Sequence, residues 1–187
     1  EKLGNLAFGK SLSDYSRWRI GGQADCVITP HTIEHIAELV ALLQHERVPY
    51  IVVGSSSNLL FADEGLRAVI LSLGTQSSRV EISKEGIVSA QCGIWVPSFA
   101  RQVANAGFGG VEHLAGIPGT LGGLICMNGG SQRKGVGDHI QSVTSVTCEG
   151  KTVTRSREEC GFAYRESRFQ SNNEIITRAE FAYPRSP

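Results

Sequence analysis

The sequence has no excess charge of either sign: 18 Lys and Arg face 18 Asp and Glu. That removes the electrostatic footprint of a non-specific nucleic-acid binder, so no nucleic-acid partner is expected. No apolar run approaches the roughly 20 residues that span a bilayer, and no basic-then-apolar signal pattern opens the chain. No membrane partner is expected either. Cysteines are few and far apart: Cys26, Cys92, Cys126, Cys148 and Cys160, an odd number with no CxxC. This usage excludes a disulfide scaffold and a CxxC-type zinc site, and points to free thiols in the reducing cytoplasm. GxxxxGK[ST] is missing, which excludes a P-loop NTPase, and GxSxG is missing, which excludes a nucleophile elbow.

What is present is a globular composition, with 41% hydrophobic and 19% charged residues over 187 positions. A chain of this length buries a core without staples and forms one domain or two small ones. Glycine is abundant: 22 residues, about 12% against an average near 7%. The glycines cluster instead of repeating, so they mark special dihedrals or close backbone approach.

Along the chain, Thr32 to Glu46 reads as an amphipathic helix with Thr32 as N-cap. Tyr50–Val53 reads as a strand buried on both faces. Ala68 to Leu73 is a further strand, and Arg79–Ser83 with Gly86–Ala90 a hairpin. Val96 to Ala106 is helical with Gly107 as its stop. Thr120 to Met127 is a short helix. Ser142–Cys148 and Lys151–Arg155 form a hairpin around Glu149-Gly150, and Glu174 to Ala182 a last strand. The pattern is βαβ followed by hairpins, an α+β chain. A small subdomain is expected at 12–73 and a larger one at 79–183.

Two loops are candidate sites. Val53, Gly54, Ser55, Ser56, Ser57, Asn58 and Leu59 take a strand straight into small residues, which suits an anion cradle or a polar surface turn. Ile117, Pro118, Gly119, Thr120, Gly122 and Gly123, followed by Met127, Asn128, Gly129 and Gly130, are glycine-dense among apolar residues. This is backbone packed beneath a ligand, with amides after Thr120 placed for a pyrophosphate, or a tight helix–strand crossing. Gly107-Phe108-Gly109-Gly110 resembles the start of GxGxxG but follows a helix and reads as a C-cap.

Four segments in order carry a family resemblance: Arg19-Ile20-Gly21-Gly22-Gln23-Ala24-Asp25, Val53 to Leu60, Ala115 to Gly130, and Tyr164-Arg165-Glu166-Ser167-Arg168-Phe169. Over about Leu12 to Tyr183 the chain resembles the UDP-N-acetylenolpyruvoylglucosamine reductase (MurB) family of flavoenzymes. The resemblance implies an FAD-binding fold of the MurB/vanillyl-alcohol-oxidase (PCMH) type, with two α+β subdomains enclosing a non-covalent FAD. It implies that the loops at 54–58 and 117–123 bind the pyrophosphate. Met127 to Gly130 would line the flavin, and Ile175 and Ile176 would pass near the adenine. It also implies that NADPH reduces the flavin and that a UDP-sugar enol ether is the substrate, in peptidoglycan synthesis. Arg165 matches the family's catalytic arginine, a fixed cation with forked donors; on residues alone it reads as a surface ion pair with Glu166 or Glu159.

The sequence departs from the family in three places. The usual Gly-Gly-Gly-Ser-Asn is Gly54-Ser55-Ser56-Ser57-Asn58. Ser16-Arg17-Trp18 replaces the common Asn-Thr before Arg-Ile-Gly-Gly, and Ser131-Gln132 stands where an aromatic is common. The family's proton-donating serine and catalytic glutamate belong to the part that binds the UDP-sugar and are not assigned to residues of this sequence. Two readings follow: the FAD-binding part of such a reductase, or a stand-alone FAD-binding module serving electron transfer or a partner chain. A reading frame that continues past Pro187 by about a domain favours the first. His113, beside the second loop, reads as a packing residue or a flavin contact.

Overall fold

The computed structural model describes residues 2–186. Nine strands among the described residues form two sheets. The first contains β1 (Gly4–Ser11), β2 (Gln23–Pro30), β3 (Tyr50–Val53) and β4 (Leu66–Ser72), in the order β1-β2-β4-β3. β1 and β2 are antiparallel, whereas β4 runs parallel to both β2 and β3. α1 (His35–His45) is the crossover from β2 to β3, which run parallel on either side of β4, and the loop at 54–65 carries the chain from β3 to β4. Ile36, Leu39, Val40 and Leu43 recur at helical spacing and are all buried. They pack on Cys26, Ile28, Val69 and Leu71 of the sheet. Each such side chain contributes roughly 1.5–3 kcal/mol on burial. The opposite face is covered by Leu12, Tyr15 and Phe61.

The second sheet holds β5 (Val80–Ile82), β6 (Ile87–Gln91), β7 (Ile140–Val146), β8 (Thr152–Ser156) and β9 (Ile175–Ala182). It is antiparallel throughout, in the order β5-β6-β9-β7-β8. α2 (Val96–Asn105) and α3 (Leu121–Cys126) pack on it. α2 buries Val96, Phe99, Ala100 and Val103, and Gly107 at φ +84° ends it. Val146 of β7 and Ile175 of β9 join the α1 cluster, so apolar contacts link the two sheets.

Several local expectations change. β1 and β2 have no counterpart among the expected strands; the first sheet begins at Gly4, not near Leu12. α1 starts at His35, and Glu34, not Thr32, is its N-cap, without a side-chain capping bond. β3 is not buried on both faces. It is the edge of its sheet, and Ile51 is 40% exposed. The β7–β8 turn spans Thr147 to Lys151, closed by the Lys151 carbonyl accepting from Thr147 N–H at 2.8 Å. Gly150 sits there at φ +78°, where a β-carbon would press on Ala37 O and Ala41 of α1.

Candidate functional site

A cleft of about 1250 Å³ runs between the β3 edge of the first sheet and the α3–β9 side of the second. Its position follows from β3 being an unpaired edge. Val53 is buried, and its carbonyl accepts from Leu73 N–H at 2.8 Å, so the strand is anchored where the first loop departs. Gly54 to Leu59 then line the cleft. Among the described residues, no acceptor takes the amides of Ser55, Ser56, Ser57 or Asn58. The Ser55 and Ser57 hydroxyls are 3.0 Å apart. Ser56 has φ +49°, and its buried Oγ has no hydrogen-bond partner.

The second loop faces the first. Ile117, Pro118, Gly119, Thr120, Gly122 and Gly123 all line the cleft. Three backbone bonds stitch this loop to residues 92–96. Val96 donates to Gly119 O at 2.9 Å, Leu121 to Ile94 O at 2.9 Å and Gly122 to Cys92 O at 2.8 Å. The first two amides after Thr120, expected to serve an anion, are therefore engaged by the fold. The Gly119 and Thr120 amides have no acceptor among the described residues. Ser57 Oγ is the nearest atom to a β-carbon built on Gly119, at 3.9 Å, so the two loops oppose each other closely.

The glycines of the cleft divide by what they face. A β-carbon on Gly54 would collide with Thr120, one on Gly122 would lie 3.1 Å from Cys92 Cβ, and one on Gly129 2.6 Å from Leu124 Cδ1. These three are small because protein packs on them. Gly119 and Gly123 meet nothing of the protein closer than 3.9 Å and 3.5 Å. Their space opens on the cleft.

Met127, Gly129, Arg165 and Phe169 form one stretch of wall. Gln170 Nε2 donates to Arg165 O at 3.0 Å and lies 3.4 Å from Met127 Sδ. Arg165 sits at φ +57° in a tight turn closed by paired bonds between Ala163 and Glu166, both 3.1 Å. Its side chain is exposed and makes no ion pair among the described residues, so the surface pairing with Glu166 or Glu159 does not form. Ser167 Oγ donates to Cys126 O at 2.6 Å and ties this turn to α3. Ile175 and Ile176 line another stretch, with Tyr50 to Val52 of the β3 edge.

Val53, Asn128 and Gly130 do not line the cleft. Asn128 is an internal strut: Nδ2 donates to Ala163 O at 2.7 Å, and Oδ1 accepts from Gly137 N–H at 3.1 Å. Gly130 is small because the carbonyl of Lys134 abuts it. His113 is buried, lies outside the lining and is held below its ordinary pKa by that burial, hence neutral. It is a packing residue.

Sequence reasoning missed Cys92, Cys126, Cys148, Asn173 and Glu174 on the cleft wall. Burial pushes the Cys92 and Cys126 thiols up, which favours their protonated form. Glu174, 5% exposed, accepts from Arg155 and from Ser145 Oγ at 2.6 Å. The Arg155 bond, with Ser145, holds its carboxyl below the usual range against burial.

Unpartnered amides on two facing loops, glycine space between them and a long cleft suit a dinucleotide cofactor with its pyrophosphate at the loops. The fold and site thus define an α+β cofactor-binding protein, and the residues present fit FAD. The FAD binding domain family model matches residues 24–156, and the chain belongs to that family. Its cofactor is FAD. The chain is 39% identical over 170 residues to UDP-N-acetylenolpyruvoylglucosamine reductase 1 of Corynebacterium glutamicum, covering 91% of this chain and 50% of that protein. It is 36% identical to the reductase of Carboxydothermus hydrogenoformans, covering 91% and 56%. The chain thus spans about half the length of these relatives. The crystal structure of the Thermus caldophilus reductase (MurB) superposes with TM-score 0.80 at 29% identity, over 98% of this chain and 63% of that one. An alkyldihydroxyacetonephosphate synthase shares the fold at TM-score 0.69 and 25% identity, over 97% and 36%. No helix among the described residues is long and apolar enough to cross a membrane.

Proposed function

We propose that the chain is the FAD-holding part of a cytoplasmic, NADPH-dependent reductase that acts on the enolpyruvyl ether of a UDP-sugar in peptidoglycan synthesis. The observation that carries this reading is the pair of facing loops, with amides of Ser55 to Asn58 and of Gly119 and Thr120 that no acceptor among the described residues takes. They hold the FAD pyrophosphate. Each half of the chain, 12–73 and 79–183, is one cofactor-binding subdomain. Met127 and Gly129 lie against the flavin and Ile175 and Ile176 against the adenine side.

FAD, when bound, supplies hydride transfer between NADPH and the enol ether. Arg165 supplies the charge complement. Its guanidinium offers forked donors, and no carboxylate of the described residues pairs with it. It therefore binds the enolpyruvyl carboxylate and stabilises the negative charge that develops when hydride arrives. A positioned proton donor is then worth roughly 10²–10⁴-fold. This reading assigns the donor to the part of the relatives' length that the chain does not span.

The test uses the full natural reading frame, loaded with FAD and reduced anaerobically by NADPH. The enolpyruvyl UDP-sugar should reoxidise the flavin, and Arg165→Ala should abolish that step while FAD remains bound. Failure of the sugar to reoxidise the parent protein would overturn the reductase reading. FAD retention with no response to the sugar would favour an electron-transfer module.

A further inference from the structure

Ser56 carries two local penalties at once. Its φ of +49° is in the left-handed region that L side chains seldom occupy. The residue is only 5% exposed, and its Oγ is a buried hydroxyl with no hydrogen-bond partner. A buried polar group left unsatisfied is a standing cost to the fold, and glycine here would remove both penalties. Strained, unsatisfied residues of this kind collect at ligand clamps, where the bound state recovers what the free state loses.

Its surroundings say which ligand. Ser56 lines the cleft in a loop whose consecutive amides have no acceptor among the described residues. The neighbouring Ser55 and Ser57 hydroxyls satisfy each other at 3.0 Å, so Ser56 is the serine of the three left unpaired. No cation lies in this loop, and Thr120 with its open amide faces it from the other loop. A donor-rich loop with no cation of its own takes a phosphate oxygen through hydrogen bonds.

Resting on the reading of the cleft as an FAD site, we propose that the Ser56 side chain is a phosphate anchor of this chain. Its hydroxyl turns between staggered rotamers to donate to a pyrophosphate oxygen of FAD. The positive φ presents the hydroxyl and the following amides to the same anion. Ser56 is thus a cofactor-positioning residue that acts through its side chain, in addition to the backbone of its loop.

The experiment measures the FAD dissociation constant by quenching of flavin fluorescence, and apo-protein stability by urea unfolding. The proteins compared are the parent, Ser56→Ala and Ser56→Gly. Ser56→Ala should bind FAD about 10- to 100-fold more weakly, as for loss of a hydrogen bond to a charged group. Its apo midpoint should stay level or rise, because an unsatisfied hydroxyl has gone. Ser56→Gly should weaken binding similarly and raise the apo midpoint further. Unchanged FAD affinity in both variants overturns the proposal, as does a fall in apo midpoint large enough to account for lost binding. A parent protein that fails to bind FAD overturns instead the reading of the cleft.

Discussion

Gly54 lies so tightly against Thr120 that a β-carbon on it would collide with Thr120 Oγ1 and come within 2.9 Å of Cγ2. This contact holds the β3 loop against the start of α3, and so sets the gap between the two loops, the proposed seat of the pyrophosphate. Gly54→Ala should therefore push the loops apart. Overpacking of this kind costs about 1–3 kcal/mol. FAD affinity should fall with it. Thr120→Ala in the same chain removes both clashing atoms and should recover part of the stability, measured as a double-mutant cycle by urea unfolding. Strict additivity of the two substitutions would show that the contact does not carry the spacing.

Gly122 and Gly123 are neighbours in sequence with opposite surroundings. Gly122→Ala presses a methyl to 3.1 Å from Cys92 Cβ and 3.2 Å from its carbonyl, so stability should drop. Gly123→Ala meets only Thr120 Oγ1, at 3.5 Å, an ordinary contact. Alanine also favours a helix over glycine by up to about 1 kcal/mol. The apo-protein should be as stable as the parent or more so, whereas FAD should bind more weakly, because the methyl occupies cofactor space. Calorimetric titration beside thermal unfolding separates the two effects.

Glu174 gives the fold a pH dependence of known sign. Arg155, with Ser145, lowers its carboxyl pKa, so the ionised form is favoured in the native state. Its contribution is complete above the unfolded glutamate value of roughly 4.3, and is lost as pH falls through the depressed native value. Glu174→Gln should lose less stability than the parent on acidification from about pH 5 down through the depressed native value. Arg155→Ala strands a buried carboxylate and should cost about 3 kcal/mol at neutral pH. Urea unfolding across that range decides; parallel pH profiles for parent and Glu174→Gln would remove the pair as the cause.

Arg165 stands on an exposed turn without an ion-pair partner among the described residues. Arg165→Ala should change stability by no more than about 0.5 kcal/mol, as at other surface positions. FAD affinity should stay within a few-fold of the parent, since the task proposed for the arginine is substrate charge. A large loss of FAD in this variant would assign Arg165 to the cofactor instead.

The second loop was legible because glycines set among apolar residues signal backbone in close approach to a neighbour or a ligand. Of Ile117 to Gly123, all but Leu121 line the cleft. The strands of the second sheet were legible from apolar runs broken by turn residues such as Lys84-Glu85-Gly86. β1 was not, because Gly4, Asn5, Gly9 and Lys10 break any alternating pattern, and this edge strand leaves Leu6 and Phe8 exposed. Nor was the exposure of Ile51, which depends on β3 falling at the sheet edge, a fact of strand order and not of composition. Asn128 and Gly130 belong to a ligand-lining motif by sequence, yet their partners are chain: Ala163, 35 residues away, and Lys134. The Arg155–Glu174 pair, with Ser145 between, forms only once β7, β8 and β9 are brought together.

The most direct test of the two-loop cofactor site is FAD titration of the apo-protein, followed by chromatography of the flavin released on heating. One FAD should saturate each chain, and FMN should not displace it, because a mononucleotide lacks the bridging pyrophosphate and the adenosine that lies beyond it. Failure of FAD to bind, or recovery of FMN in its place, would contradict the assignment of the two loops and with it the function built on them.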